Sequence, residues 1–225
     1  MKYVIAFAAL SSQVLIAALS TETQKRLEEA GIVLEEIMGT SDNEIPQSLL
    51  TKAECAVIIP GLKKGAFIVG GQYGRGFVTC RKKAGMGWSA PGAVRMEGGS
   101  FGFQIGGSEI DVVMLVMNQR GAERLLASKF TLGGDASVAA GPVGRTAKAE
   151  TDATMRAEIL SWSRSRGVFA GISLQGATLR QDGSVNKEMY GEKFEENKAI
   201  VQSDLAAPNA AEKFLAQLTK HAARK

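Results

Sequence analysis

Fourteen glycines fall between Gly61 and Gly107, set among Val, Ile, Phe, Tyr and Trp in runs such as GAFIVGGQYGRGFVTC and GGSFGFQIGG. Aromatic and β-branched residues favour extended backbone, whereas an interior glycine weakens a strand unless a bulge, a tight bend or close backbone approach is needed there. The stretch is too apolar to stay solvated as a linker. It therefore specifies either a compact, sharply curved sheet or a surface that cradles a ligand. With 225 residues, 45% hydrophobic and 22% charged, the chain suits one well-buried domain.

The N-terminal run MKYVIAFAALSSQVLIAALS has one Lys, two apolar blocks parted by Ser11, Ser12 and Gln13, and small residues at Ala18 and Ser20. That pattern reads as a cleaved export signal over residues 1–20, the alternatives being a retained anchor or an apolar helix packed on the domain. No other run approaches the roughly 18 apolar residues of a membrane span. Cys55 and Cys80, with no further Cys and no His near them, supply too few ligands for zinc. They are left as one disulfide or two small buried hydrophobes.

Charge is unevenly spread. Residues 21–50 hold two basic and seven acidic residues, while residues 60–100 hold seven basic residues against Glu97 alone. The glycine-rich section is thus also the basic section, and such a field attracts anionic partners or simply keeps a face solvated.

Periodicity gives a coarse layout. Leu27, Ala30, Leu34 and Ile37 follow helical steps before Gly39, and Ser41, Glu44 and Pro46 introduce a short second helix carrying Ile45, Leu49 and Leu50. Strands are expected at 56–59, 67–69, 77–80, 87–89, 101–105 and 111–117, and a short helix at 119–128. Residues 152–162 begin in helical fashion, 167–179 return to a glycine-interrupted strand pattern, and 186–190 form a helical turn. Residues 209–222 make an amphipathic helix with Asn209 as cap candidate.

Catalytic patterns are weak. Gly98-Gly99-Ser100-Phe101-Gly102 matches a nucleophile elbow literally, with His221 as the one histidine, but the sequence after Ser100 stays strand-like where an elbow needs a helix. Asp111, Asp135 and Asp152 are too scattered for a carboxylate pair, and GGQYGRG lacks the third glycine of a dinucleotide loop. No enzyme, cofactor or metal is expected.

Taken in order, Ala56-Val57-Ile58-Ile59-Pro60, the glycine run 65–76, Gly87-Trp88-Ser89-Ala90-Pro91, residues 102–107 followed by Asp111-Val112-Val113, DASVAAGPVGR, SRSRGVFAGISLQG, and Asn186 with Tyr190-Gly191 closely resemble the SYLF domain over roughly residues 30–201. The resemblance implies a phospholipid- and phosphoinositide-binding domain without catalytic activity, found in eukaryotic actin-patch and endosomal proteins and in exported bacterial relatives. The expected fold is α+β: a curved, mainly antiparallel glycine-rich sheet with amphipathic helices at both ends. The layout becomes a signal at 1–20, a helical segment at 21–50, a lipid-binding core at 51–201 and a C-terminal helix at 202–225.

The expected partner is an anionic phospholipid membrane and not nucleic acid; the runner-up is an acidic protein partner in the envelope. Actin binding follows from the resemblance alone and is not expected of an exported chain. Lys63 with Lys64 and Arg81 with Lys82 and Lys83 are the densest headgroup candidates, placed at strand ends where turns would bring them together. Arg145, Arg164 and Arg166 lie in motif segments and serve either headgroups or loop carbonyls and nearby carboxylates. Trp88 and Trp162 read as core, and the acidic helix at 21–38 as packing on the sheet.

Overall fold

Two strands dominate the chain. β1 (Cys55–Cys80) and β2 (Gly92–Val116) pair antiparallel from Cys55 opposite Val116 to Val78 opposite Gly92. The computed structural model describes residues 19–39, 44–82, 87–144, 156–165 and 168–222, with backbone alone at 66–69 and 100–106. The segments expected as separate strands at 56–59, 67–69 and 77–80 are one strand, and so are 101–105 and 111–117. Glycines that read as stops act as bends, because the backbone ladder runs through them and shifts register only between Ile59 and Leu62 and between Ala66 and Ile68. Residues 87–89 contribute just a bridge from Trp88 to Arg81.

This ribbon is folded back on itself. The two ends of β1 meet in a disulfide between Cys55 and Cys80, with Cα atoms 4.0 Å apart, and Glu54 O accepts from Arg81 N at 2.8 Å. Near its two ends the strand crosses itself so closely that a Cβ on Gly76 would lie 2.0 Å from Ile58 O. The first bend uses Gly61 at φ 61°, a conformation that favours glycine, and Asp111 Oδ1 accepts from Gly61 N at 3.0 Å.

The remaining strands line the far edge of β2. β7 (Thr178–Gln181) pairs with Val94–Glu97 of β2 and carries β3 (Lys129–Thr131) on its other side. β5 (Ile159–Ser165) pairs with Asp111–Val116 and carries β4 (Val138–Ala140), parallel, and β6 (Val168–Gly171). Of the run 152–162, expected to begin in helical fashion, residues 151–155 lie outside the described residues and Arg156 is helical, while Ile159–Trp162 is strand, a short fully buried run that periodicity cannot tell from helix.

Side-chain alternation sorts the ribbon into two cores. Val57, Ile59, Val94, Met96, Val112, Met114, Phe130 and Leu179 fill the inside of the curl. Ala56, Ile58, Phe77, Val113, Leu115 and Trp162 face outward under a helical layer. That layer contains α1 (Thr21–Gly39), α2 (Gln47–Lys52) and α6 (Glu212–His221), the last entered through a 3-10 turn (Asn209–Ala211). Leu27, Ala30, Leu34 and Ile37 of α1 are buried as their spacing predicts. α3 (Gln119–Leu125) is capped by Asn118, whose side chain accepts from Gly121 N. α4 (Gly183–Tyr190) and α5 (Asn197–Val201) close the chain against the start of β2. The whole is α+β with a curved, mainly antiparallel sheet and helices at both ends. Among the described residues, no helix is long and apolar enough to cross a membrane.

Candidate binding surface

Where α1 lies across the folded ribbon, it leaves a groove of about 440 Å³. The floor is Pro60, Gly61, Lys63, Tyr73, Gly74 and Arg75 from β1, and the α1 wall supplies Glu22, Lys25, Arg26 and Glu29. Lys63 projects into this groove, exposed, in register with Glu109 of β2. Its neighbour Lys64 points to the other side of the ribbon, where partial burial pushes the amine below the ordinary lysine range. Both lysines sit inside a strand, not at the strand end expected for them. Lys63, Lys64 and Lys82 make no ion pair among the described residues.

Other cations around the groove are held. Arg26 pairs with Glu22, and Lys25 reaches Glu29 at 3.7 Å, both within α1. Arg75 Nε lies 3.1 Å from the buried Asp182 carboxylate and donates to the Tyr73 hydroxyl at 3.0 Å. Tyr73 is 46% exposed, unusual for so large a side chain on a strand. Lys25, Arg26, Tyr73 and Arg75 were not singled out from the sequence: net charge marks 21–50 as acidic, and nothing local shows that the two cations of α1 face the ribbon.

Lys82 is exposed beside the disulfide and lines a different concavity, of about 610 Å³, with Glu54, Glu123 and Asp204. It does not share a groove with Lys63, so the two lysine clusters are not projected together. Arg81 is spent within the fold. Its guanidinium donates to Leu50 O, Thr51 O, Ala53 O and Ala222 O, tying the end of α2 to the end of α6, and stacks 4.0 Å above the Trp88 ring. Arg164 is bidentate to Asp111 Oδ2 at 2.7 and 2.9 Å and pairs with Glu36 of α1, clamping helix to sheet. Lys83, Arg145 and Arg166 lie outside the described residues.

The motif segments have structural work. A Cβ on Gly141 would sit 2.0 Å from the Trp162 ring, whose Nε1 donates to Pro142 O. Asn186 and Asn197 are buried and take both polar groups of Ala93: Asn186 Oδ1 accepts from Ala93 N, and Asn197 Nδ2 donates to Ala93 O. The Tyr190 hydroxyl donates to Pro91 O at 2.7 Å, and burial holds its pKa above the usual tyrosine range. Ser100 lies within the unbroken β2 ladder, opposite Gly70, with no helix following it. Among the described residues, no three His, Cys, Asp or Glu gather as a metal site.

Fold and surface together define an α+β module, one folded ribbon under a helical cover, with the α1 groove on the outside of the curl. The family described as "Ysc84: Las17-binding protein actin regulator" matches residues 97–221. An SH3 domain-containing protein of Schizosaccharomyces pombe is 38% identical over 172 residues, 75% of this chain and 39% of that protein. The protein YSC84 of Saccharomyces cerevisiae is 34% identical over 186 residues, 81% and 39% respectively. SH3 domain-containing YSC84-like protein 1 of Xenopus laevis is 35% identical over 153 residues, 67% and 45%. The chain belongs to the Ysc84, or SYLF, family, and it spans less than half the length of these relatives.

Proposed function

We propose that the chain is a non-enzymatic binding module for anionic phospholipid headgroups at a membrane surface. The observation that carries this reading is Lys63, which makes no ion pair among the described residues and stands in the outer groove with the exposed Tyr73. Lysines without a protein partner keep their charge for a ligand, and each basic residue near an anionic bilayer contributes about 1 kcal/mol. Tyrosine suits the boundary between headgroup and acyl chain. The Cys55–Cys80 disulfide supports an exported, oxidising location such as the periplasm or envelope.

Co-sedimentation with vesicles containing phosphatidylserine checks this. Lys63→Glu with Lys64→Glu is expected to lower the bound fraction roughly tenfold or more at low salt. Binding unchanged by that double reversal counts against headgroup contact at these lysines.

A second reading, a protein-binding module, is favoured by the names of the relatives. "Las17-binding protein actin regulator" describes the family, and "LAS seventeen-binding protein 3" a yeast relative 36% identical over 157 residues. In an exported chain the corresponding partner is an acidic protein surface.

A further inference from the structure

Antiparallel pairing puts directly opposed residues on the same face of a sheet. Arg75 of β1 is opposed to Arg95 of β2, Arg95 to Arg180 of β7, and Arg180 to Lys129 of β3. Four cations thus stand in one transverse row across four adjacent strands, at the roughly 4.8 Å spacing of neighbouring strands. The row lies on the outside of the curl, because the alternate residues Val94, Met96, Phe130 and Leu179 fill the inside. Arg75, Arg95 and Arg180 keep 34–38% of their side chains exposed, and Lys129 is exposed. The next row on that face is Tyr73, Glu97, Thr178 and Thr131.

From this register we infer that the cationic row is the docking face for an anionic phospholipid surface, an extension of the lipid reading above and dependent on it. Three like-charged pairs placed directly opposite one another work against the sheet, so folding alone does not account for them. Two carboxylates partly compensate: Glu97 lies 2.8 Å from Arg95 and 3.2 Å from Arg180, and Asp182 lies 3.1 Å from Arg75. Glu22 of α1, itself paired with Arg26, also acts on Arg75, so four cations face three carboxylates and the row stays net positive. Glu97, reaching toward both neighbours, holds the two guanidinium groups side by side above the sheet. A broad strip of this kind fits many headgroups on a surface better than one ligand in a cavity. Arg75 and Tyr73 also line the α1 groove, so the row borders the groove that holds Lys63 together with Glu22, Glu29 and Glu109.

The triple variant Arg95→Gln, Arg180→Gln and Lys129→Gln tests the assignment. None of these residues was a candidate from the sequence. Partitioning onto vesicles of phosphatidylserine and phosphatidylcholine is expected to weaken roughly tenfold or more, with a flatter salt dependence. The thermal midpoint is expected to hold or rise, because like-charge opposition is relieved, whereas a structural role would lower it. Binding equal to wild type in the triple variant, alongside loss in Lys63→Glu with Lys64→Glu, overturns the row and leaves the lipid reading standing. Equal, weak partitioning of the wild type onto anionic and pure phosphatidylcholine vesicles overturns both, and is the outcome expected of a module for an acidic protein.

Discussion

Lys64 and Arg81 look alike in the sequence, two cations in a basic stretch, and the structure gives them opposite energetics. Arg81 hands its guanidinium hydrogens to carbonyls at the ends of α2 and α6. Lys has one donor head where Arg has a planar fork, so Arg81→Lys is expected to cost about 1–3 kcal/mol in urea unfolding. Lys64 is half-buried without an acceptor, and its amine is pushed down by burial. A lysine whose folded pKa is depressed binds its proton less well folded than unfolded. Stability is therefore reduced while the amine is charged and is recovered as pH rises through the folded value toward the unfolded one. Lys64→Met is expected to hold stability or raise it by up to about 0.5 kcal/mol at neutral pH and to remove that alkaline gain, read as thermal midpoint against pH. The same substitution is expected to leave anionic vesicle binding nearly unchanged, because Lys64 points to the side of the ribbon away from the outer strip.

At the scale of elements, the glycines of the ribbon divide by what they touch. Gly76 meets the backbone of Ile58, which cannot move aside, whereas Gly65 has open space around its missing Cβ. Gly76→Ala is expected to destabilise by about 1–3 kcal/mol and Gly65→Ala to be near neutral, by the same denaturation midpoint. The disulfide closes the doubled ribbon across a sequence separation of 25, and its loss in Cys55→Ala with Cys80→Ala is expected to cost about 3 kcal/mol. Much of this level was legible beforehand. The helical spacing of Leu27, Ala30, Leu34 and Ile37 fixed the buried face of α1, and glycines among β-branched residues marked a curved sheet. What was not legible is long-range. Glycine carries the same local signal at a bend as at a strand end, so two strands of 26 and 25 residues read as five short ones. Ile159–Trp162, buried on both sides, shows no alternation to separate strand from helix.

For the whole molecule, the proposed binding surface was only half visible in the sequence. Lys63 and Lys64 stood out because adjacent lysines are conspicuous, and the family resemblance implied the proposed ligand class. The row of Arg75, Arg95, Arg180 and Lys129 could not be seen, since its members are scattered over 105 positions and meet only through register. Likewise Arg164, conspicuous in SRSRG, belongs to a helix-to-sheet clamp with Asp111 and Glu36. With the curl as scaffold and the outer cationic strip as the proposed working surface, attraction to an anionic bilayer is expected to be electrostatic and screened by salt. The most direct measurement is co-sedimentation of the intact chain with phosphatidylserine-containing and pure phosphatidylcholine vesicles, at low and at high salt. The account predicts binding to the anionic vesicles alone, lost as salt is raised; equally poor binding to both at low salt would contradict it.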